Sequence, residues 1–203
     1  MRIFDVFELI GIIQGLYIMI KRIYLKIRIC LANKNWKTKR AYLISKGAKI
    51  GIGTRLNCGV DAFGTEPYLI TCGEDCLFAG GVRLITHDGG IKVLNSLNMF
   101  GDKRMSKMDS ICIGNNVYLG QNAMVMPGVN IGDNVVVGAG AIVTHDLPSN
   151  VVAVGIPAKP KKTIEEYYES AINCKKLYCF EKCTSYEKEE ILREAYSNMK
   201  VNG

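Results

Sequence analysis

An aliphatic residue recurs at every sixth position in the second half of the chain, and this period constrains the fold more than any other feature of the sequence. The series runs Ile113, Leu119, Val125, Ile131, Val137 and Val143. The fifth position of each hexad is also apolar, and Gly follows the aliphatic residue in four of the six hexads. A period of six matches neither an α-helix, with about 3.6 residues per turn, nor a straight strand, whose side chains alternate. It predicts short strands joined by tight turns, three to a coil, in a parallel β-helix with an all-β core.

The same repeat appears upstream with two interruptions. The residues that keep its spacing there are Ile50, Leu56, Cys72, Phe78 and Leu84. Cys72 and the nearby Cys76 fall on apolar positions, so both are expected to be small buried side chains and not metal ligands. The longer interruption separates Leu84 from Ile113 by 29 positions, which is not a multiple of six. Residues 87–109 are therefore predicted to leave the coils as a long loop, and such a loop in a compact domain is usually functional.

Composition divides the chain into three segments. Residues 47–162 contain the repeats and form the predicted β-helix domain. Residues 163–203 are rich in Lys, Glu and Tyr, and they predict a helical cap over the open end of the coils. Residues 1–46 contain no Pro and have apolar residues at helical spacing, which predicts an amphipathic helical segment.

The N-terminal segment combines an apolar run with a basic one. Residues 9–20 are strongly apolar, but twelve residues are too few to span a bilayer. Residues 21–49 contain ten Lys and Arg residues and no acidic residue. Two interpretations stay open: the segment packs on the domain or on another subunit, or it lies on an anionic membrane surface. No nucleic-acid partner is expected.

The eight cysteines do not indicate a disulfide scaffold. No basic signal-peptide start precedes the apolar run, because Asp5 and Glu8 stand there instead. The thiols are therefore expected to stay reduced in the cytoplasm. Cys174, Cys179 and Cys183 have spacings unlike the paired ligands of zinc sites, so no metal is expected.

Two stretches resemble a known family. IGNNVYLGQNAMVMPGVNIGDNVVVGAGAIVTHDLPSNVVAVGIPAKP, residues 113–160, is similar to the C-terminal coils of the hexapeptide-repeat acetyltransferases, which include galactoside, maltose and xenobiotic O-acetyltransferases. VRLITHDGG, residues 82–90, resembles the members that acetylate sugars during capsule, O-antigen or exopolysaccharide assembly. The resemblance extends over about residues 47–162. It implies a left-handed parallel β-helix, acetyl-coenzyme A as co-substrate, and a homotrimer with active sites between neighbouring subunits.

Acetyl transfer from a thioester to a sugar hydroxyl requires a base, because the hydroxyl is too weakly acidic to ionise at neutral pH. Imidazole suits this role, and the chain contains two histidines, His87 and His145. His87 follows a predicted strand at the start of the long loop, where a substrate has access. The resemblance matches His87 with the catalytic position of the THD motif and His145 with a surface position, so it implies that His87 is the general base. A backbone carbonyl or an acid from another coil is expected to orient the imidazole.

Coenzyme A is expected along the outside of the coils. Gly120, Gly138 and Ala139 leave room for its pantetheine chain because they add little side chain. The cofactor contacts that the resemblance implies are Ala139, Thr144, Lys159 and Lys162. The two lysines stand in a basic run whose charge suits the cofactor's phosphates. The expected contacts to the acceptor are Asp88, Asn57 and Asp61.

Residues and resemblance together predict acetyl-coenzyme A-dependent O-acetylation of a sugar hydroxyl in surface-polysaccharide biosynthesis. Two alternatives stay open: N-acetylation of an amino sugar or another small acceptor on the same fold, and a non-enzymatic β-helix scaffold. Zinc-dependent hydration, as in γ-class carbonic anhydrases, is disfavoured because that metal site needs three histidines and the chain has two. The expected location is the cytoplasm, with residues 1–46 at the inner face of the membrane under the membrane interpretation.

Overall fold

The computed structural model describes the backbone of residues 3–12 and the complete residues 13–174 and 176–196. Residues 1–2, 175 and 197–203, which belong to the predicted segments 1–46 and 163–203, lie outside the described residues. The chain divides into two units, Met1–Ile164 and Glu165–Gly203. The coils belong to the first unit.

Most of the regular elements are short. The helices are α1 Ile3–Ala32, α2 Trp36–Ile44, α3 Ile91–Ser96, α4 Ile164–Ile172 and α5 Ser185–Tyr196. The strands are β1 Lys49–Ile50, β2 Arg55–Leu56, β3 Ile70–Cys72, β4 Leu77–Phe78, β5 Arg83–Leu84, β6 His87–Asp88, β7 Lys107–Met108, β8 Ile111–Ile113, β9 Tyr118–Leu119, β10 Met124–Val125, β11 Asn130–Ile131, β12 Val136–Val137, β13 Ile142–Val143, β14 Val151–Val154 and β15 Lys159–Thr163.

The strands stack into three parallel faces, which confirms the coils predicted from the six-residue period. The first face has the order β1-β3-β8-β11, the second β2-β4-β9-β12-β14, and the third β5-β10-β13. In the regular coils the register advances by 18 residues, as from Ile113 to Ile131 and from Leu119 to Val137. Each regular coil therefore contains three hexads, one on each face.

The aliphatic residue of each hexad points into the coil and stacks on its equivalents above and below. Leu119 and Val125 are wholly buried, and Cys72 and Cys76 are 3% and 1% exposed. The interpretation of these two cysteines as small core side chains is therefore confirmed. Burial raises the pKa of Cys72 to about 12 and that of Cys58 to about 11. Both thiols are neutral at physiological pH, so neither is an activated nucleophile.

One corner between faces depends on residues that accept a left-handed backbone. Asn116, Asn134 and Asn150 occupy it with φ of 53°, 55° and 64°, a conformation that Asn accepts more readily than most residues. Their side chains form a ladder, because the Asn116 amide donates to Asn134 Oδ1 over 2.8 Å and Asn134 donates to Asn150 over 2.9 Å. The ladder links three successive coils and holds them in register.

Glycines form a column where successive coils approach most closely. A Cβ atom on Gly114 would lie 2.8 Å from the carbonyl carbon of Gly132 and 2.4 Å from Oδ1 of Asp133. A Cβ atom on Gly51 would lie 2.4 Å from the carbonyl carbon of Gly73. At these positions, the Gly that follows the aliphatic residue of the hexad is required by coil-to-coil packing.

The first insertion enlarges the coil that contains β1 and β2. The register from Ile50 to Cys72 advances by 22 residues, four more than in a regular coil. The added chain forms 3₁₀ turns at Val60–Phe63 and Pro67–Leu69. Phe63 of this segment is wholly buried and stacks on Phe78, with 6.3 Å between ring centroids. The irregular segment is thus anchored in the core.

The second insertion leaves the third face after β5. The register from Leu84 to Val125 advances by 41 residues, which is 23 more than in a regular coil. This excess equals the length of residues 87–109. Strands β6 and β7 pair antiparallel, with His87 opposite Met108, and close the base of the insertion.

Helix α2 covers the first coil at the N-terminal end of the β-helix. Arg40 donates hydrogen bonds to the carbonyl oxygens of Ile50 (2.7 Å) and Gly51 (3.0 Å). Lys39 donates to the carbonyl oxygen of Leu56 over 3.2 Å. These cationic donors bind backbone carbonyls at the edge of the first coil, which would otherwise be open to pairing with another chain.

At the other end of the coils, β15 pairs antiparallel with β14. The second unit contains α5, whose N-terminus has a reciprocal cap: the Thr184 N–H donates to Glu187 Oε2 over 2.7 Å, and the Glu187 N–H donates to Thr184 Oγ1 over 3.2 Å. The capping role expected of residues 163–203 stays a prediction.

Candidate active site

His87 lies where the third face gives way to the long insertion. Strand β5 ends at Leu84, two residues continue along the coil, and His87 begins β6. The returning end of the insertion is fixed to the same segment, because Asp109 donates its N–H to the Thr86 carbonyl over 2.9 Å. The His87 side chain is 50% exposed, so a substrate can reach the imidazole.

A buried carboxylate from the first insertion contacts this imidazole. Glu66 Oε2 lies 3.3 Å from His87 Nδ1 and accepts a hydrogen bond from the Thr86 hydroxyl over 2.9 Å. The Thr65 hydroxyl donates to the other carboxylate oxygen, and Glu66 is only 8% exposed. Hydrogen bonds from Thr65, then from Thr86 and His87, hold the pKa of Glu66 below its ordinary value. Glu66 is therefore ionised at neutral pH.

An ionised Glu66 determines which nitrogen of His87 is available for chemistry. A carboxylate accepts hydrogen bonds and cannot donate them, so Nδ1 of the neutral imidazole holds the proton. Nε2 then has the free lone pair that a base needs. The same carboxylate stabilises the imidazolium that forms when Nε2 takes a proton.

Asp88 stabilises the base of the insertion. Its Oδ1 accepts the N–H of Gly90 over 2.9 Å, and its Oδ2 lies 3.6 Å from Lys107 Nζ. These contacts are those of a turn residue paired across β6 and β7. The acceptor contact expected from Asp88 stays a prediction.

The two other residues expected at the acceptor lie apart from each other. Asp61 forms an ion pair with Arg83 on β5, and the hydrogen bond from that guanidinium lowers the pKa of Asp61. Asn57 follows β2 on the second face and donates its N–H to the Phe78 carbonyl over 2.8 Å. The strand that bears Arg83 leads to His87, whereas Asn57 follows a strand of a different face. Both acceptor roles stay predictions.

Two cavities meet at His87. The first, of about 340 Å³, lies within the insertion between α3 and residues 104–108, and is called the loop cavity below. The second, of about 640 Å³, lies over the third face and includes Met124 and Met126 in its lining; it is called the coil cavity. His87 lines both. Two cavities that share one imidazole suit a reaction between two substrates.

Three of the residues expected at coenzyme A adjoin one another. A Cβ atom on Gly120 would lie 2.5 Å from the Ala139 nitrogen and 2.7 Å from the Gly138 carbonyl carbon, so coil packing already requires Gly at position 120. Gly138 in turn adjoins Val154, which pairs with Lys159 across β14 and β15. Four of the expected cofactor contacts thus follow one corner of the coils: Gly120, Gly138, Ala139 and Lys159.

The remaining expected cofactor contacts are Thr144, on the third face of the coils, and Lys162, on the same strand as Lys159. Thr144 follows β13 on the third face, and its hydroxyl lies 2.8 Å from Nδ1 of the exposed His145. Lys162 pairs with Val152 in the antiparallel ladder of β14 and β15. The cofactor roles of these residues stay predictions.

Within the described residues, no group of three His, Cys, Asp or Glu side chains could hold a metal ion. Cys174 and Cys179 are exposed and Cys183 is half-buried. All three belong to the second unit, whereas His87 belongs to the first.

Sequence reasoning expected an acid from another coil beside His87 but did not identify Glu66. The signal that points to it is the first interruption of the repeat. That segment contains two acidic residues, Asp61 and Glu66, of which the sequence prediction selected only Asp61. The selection could not be made from spacing, because 3₁₀ turns and not a strand set the direction of each side chain there.

Comparison with known proteins relates the chain to transferases. Residues 113–145 match the family model described as bacterial transferase hexapeptide (six repeats). Protein CapG of Staphylococcus aureus is 42% identical over 156 residues, which cover 71% of this chain and 87% of CapG. Galactoside O-acetyltransferase of Escherichia coli K12 is 38% identical over 60% of this chain and 58% of that protein. Polysialic acid O-acetyltransferase of Escherichia coli O1:K1 is 39% identical over 63% of this chain and 40% of that protein.

The match to CapG extends far beyond the hexads. It covers most of both chains, so it includes sequence outside residues 113–145. The three stacked faces agree with the repeat that the family model describes. The chain therefore belongs to the bacterial hexapeptide-repeat transferase family.

Proposed function

We propose that the chain is an acetyl-coenzyme A-dependent O-acetyltransferase that acetylates a sugar hydroxyl in surface-polysaccharide biosynthesis. The observation on which the proposal rests is His87, held by Glu66 through one ring nitrogen at the meeting point of two cavities. Two similar proteins are named for O-acetylation of a galactoside and of polysialic acid. Membership of the family supports a left-handed coil and a homotrimer with active sites between subunits.

In the proposed reaction His87 acts as general base. Nε2 takes the proton of the acceptor hydroxyl as its oxygen attacks the thioester carbonyl. The new C–O bond forms, the C–S bond breaks, and the imidazolium returns the proton to the departing thiolate. The products are an acetyl ester and free coenzyme A. Glu66 acts through His87 as a positioning residue, because its carboxylate contacts the imidazole.

The coil cavity is the proposed site of the thioester. Ile85, Met126 and Pro127 give it an apolar lining that suits the methyl group and the pantetheine chain. From there the cofactor is proposed to extend along the outside of the coils towards Ala139 and Thr144. Lys159 and Lys162 are proposed to pair with its phosphates. The loop cavity then remains for the acceptor.

An acceptor screen tests the proposed function. Purified protein is mixed with acetyl-coenzyme A and a series of sugars and glycosides, and free thiol is followed. We expect acceptor-dependent thiol release and a product that hydroxylamine cleaves, because hydroxylamine cleaves esters and spares amides. A product that hydroxylamine does not cleave would mean N-acetylation. Absence of acceptor-dependent release across the series would favour the non-enzymatic scaffold.

Helix α1 presents an unpartnered surface. Among its described side chains, those of residues 13–27 are all exposed, whereas Ala32 is buried and Ile29 packs against the core. Ile13 and Ile20, on one side of the helix, are 57% and 56% exposed. In the part of the chain that the structure describes, no helix is long and apolar enough to cross a membrane.

We propose that α1 lies on an anionic membrane surface. Lys21, Arg22 and Lys26 are exposed among the apolar side chains, and residues 9–60 contain no acidic residue. An interfacial helix buries its apolar side at the headgroup boundary, and each basic residue adds about 1 kcal/mol of attraction to anionic lipid. The inner face of the membrane, where acetyl-coenzyme A is available, is the proposed location.

Vesicle flotation tests this location. The full chain is expected to float with phosphatidylcholine vesicles that contain phosphatidylglycerol and to float poorly without it. Lys21→Gln with Lys26→Gln is expected to lower binding about 30-fold, because about 2 kcal/mol of attraction is lost. The matched control, Lys49→Gln with Lys103→Gln, removes the same charge elsewhere and is expected to bind normally. Equal flotation of the two variants would contradict the proposal, as would self-association through α1 without flotation.

A further inference from the structure

Two segments of the insertion form the walls of the loop cavity. Helix α3 forms one side and residues 104–108 form the other. Asn95 joins the two sides with a pair of hydrogen bonds, since its amide donates to the Met105 carbonyl over 2.8 Å and its Oδ1 accepts the Met105 N–H over 2.9 Å. The antiparallel pair β6 and β7 closes the base, where His87 contributes to the lining. The cavity is therefore held by the insertion's own contacts.

The charges that line this cavity are predominantly positive. Lys92, Arg104 and Lys107 line it together with a single carboxylate, Asp88. Lys107 lies 3.6 Å from that carboxylate, which neutralises one of the three cations. Within the described residues, no ion pair is found for Lys92 or Arg104. Two cations thus remain beside the proposed base with no carboxylate partner.

This composition favours an acceptor that carries a negative charge over one that offers only hydroxyl groups. Lys and Arg side chains donate hydrogen bonds and accept none, and no described lining residue has an aromatic ring other than the imidazole. The planar guanidinium of Arg and the ammonium group of Lys are the usual partners of carboxylate and phosphate oxygens. Cationic side chains also raise the rate at which an anionic substrate reaches the cavity.

We infer that the acceptor is an anionic sugar, whose carboxylate or phosphate binds Lys92 and Arg104 while its reacting hydroxyl lies at His87. This inference rests on the proposed function and adds the chemical class of the acceptor. A uronic acid would supply the anion as a ring carboxylate. A sugar phosphate would supply it at the anomeric oxygen. Both place one anionic group a few bonds from a free hydroxyl.

Matched acceptor pairs test the inference by thiol release. One arm compares methyl glucuronide with methyl glucoside, and the other compares glucose 1-phosphate with glucose. We expect the charged member of at least one pair to have the higher kcat/KM, and the arm that shows it identifies the anion. Lys92→Gln with Arg104→Gln is expected to lower the charged-to-neutral ratio about 10- to 100-fold, as expected for lost hydrogen bonds to a charged group. Lys103→Gln, outside the cavity lining, is expected to leave the ratio unchanged.

Calorimetric binding of glucuronate, glucose 1-phosphate and glucose separates this inference from the proposed function. Salt-sensitive binding of a charged probe that the double variant loses supports the inference even where no thiol is released. Absence of thiol release with every acceptor would instead contradict the proposed function. Equal ratios in wild type and variant would overturn the inference, and so would an absence of charged-probe binding at low salt.

Discussion

Replacement of His87 by Ala is expected to lower kcat/KM for acceptor-dependent thiol release by about 10²- to 10⁴-fold, the usual contribution of a positioned general base. The imidazole lines both cavities, and its Nδ1 lies 3.3 Å from the ionised Glu66. Without it, the hydroxyl must lose its proton to water as it attacks. The measurement is steady-state thiol release with the best acceptor of the screen.

The matched control for this experiment is His145→Ala. His145 is exposed at the end of the third face, and no role in proton transfer is proposed for it. The control is expected to retain activity close to that of wild type. Sedimentation of both variants must give the mass of the wild-type oligomer, which the proposal expects to be a trimer. Retained turnover in His87→Ala, with an intact oligomer, would refute the assignment of the base.

Glu66→Gln separates a positioning role from a structural one. Gln keeps the size of the side chain but removes the charge that stabilises the imidazolium. A loss on the order of 10- to 100-fold in kcat is expected, as for other partners that orient a functional histidine. KM for the acceptor is expected to change little, because Glu66 acts through the imidazole. A fall in the thermal midpoint that accounts for the lower rate would mean that Glu66 supports the fold alone; Glu74→Gln, an exposed acid on the coils, is the control.

The second large effect is on stability. Gly114→Ala is expected to destabilise the fold by about 1–3 kcal/mol, the range for overpacking a tight interior. The new Cβ would lie 2.8 Å from the Gly132 carbonyl carbon and 2.9 Å from the Asp133 nitrogen, so the backbone of the next coil must move. That movement also strains the hydrogen bond from the Asn115 N–H to Asp133, which spans 2.6 Å.

Gly80→Ala is the matched control for this prediction. No heavy atom lies within 4 Å of a Cβ at Gly80, and its φ is not positive. Ala there is expected to be neutral or to stabilise by about 0.4–1 kcal/mol, through the lower entropy of the unfolded chain. Thermal unfolding of the two variants checks the difference, at about 2–4 °C for each kcal/mol in a chain of this size. Equal midpoints would contradict the close approach of the coils.

The fold could be predicted because one period determines most of it. A period of six sets the strand length, the inward residue and the turn at once, so the places of Ile113 and Val125 in the repeat already assign them to different faces. The directions of side chains within the insertions could not be predicted, and the reason is physical. In the 3₁₀ turns after β2 no repeat relates a residue to its direction, so spacing does not decide between Asp61 and Glu66.

The candidate site could be predicted only as far as the composition limited the choice of residues. With two histidines in the chain, placement and resemblance were enough to select His87. Its carboxylate partner and the cations of the loop cavity depend on how two separate insertions fold beside each other. Lys92 and Arg104 lie twelve positions apart in sequence, and only the pairing of α3 with the returning chain places both around one cavity. Spacing alone does not contain that information.

The two-stranded base of the second insertion affects how this enzyme can change over evolution. His87 belongs to β6, and the chain rejoins the coils after β7. The residues between these strands are therefore joined to the coils through this one antiparallel pair. A duplication, deletion or exchange confined to that stretch leaves in place the stacked faces, the proposed base and the lining of the coil cavity other than Gly89. Under the proposed assignment of the two cavities, acceptor preference can therefore diversify independently of the acyl-donor site, and a transplant of that stretch from a relative is a direct route to a transferase with a new acceptor.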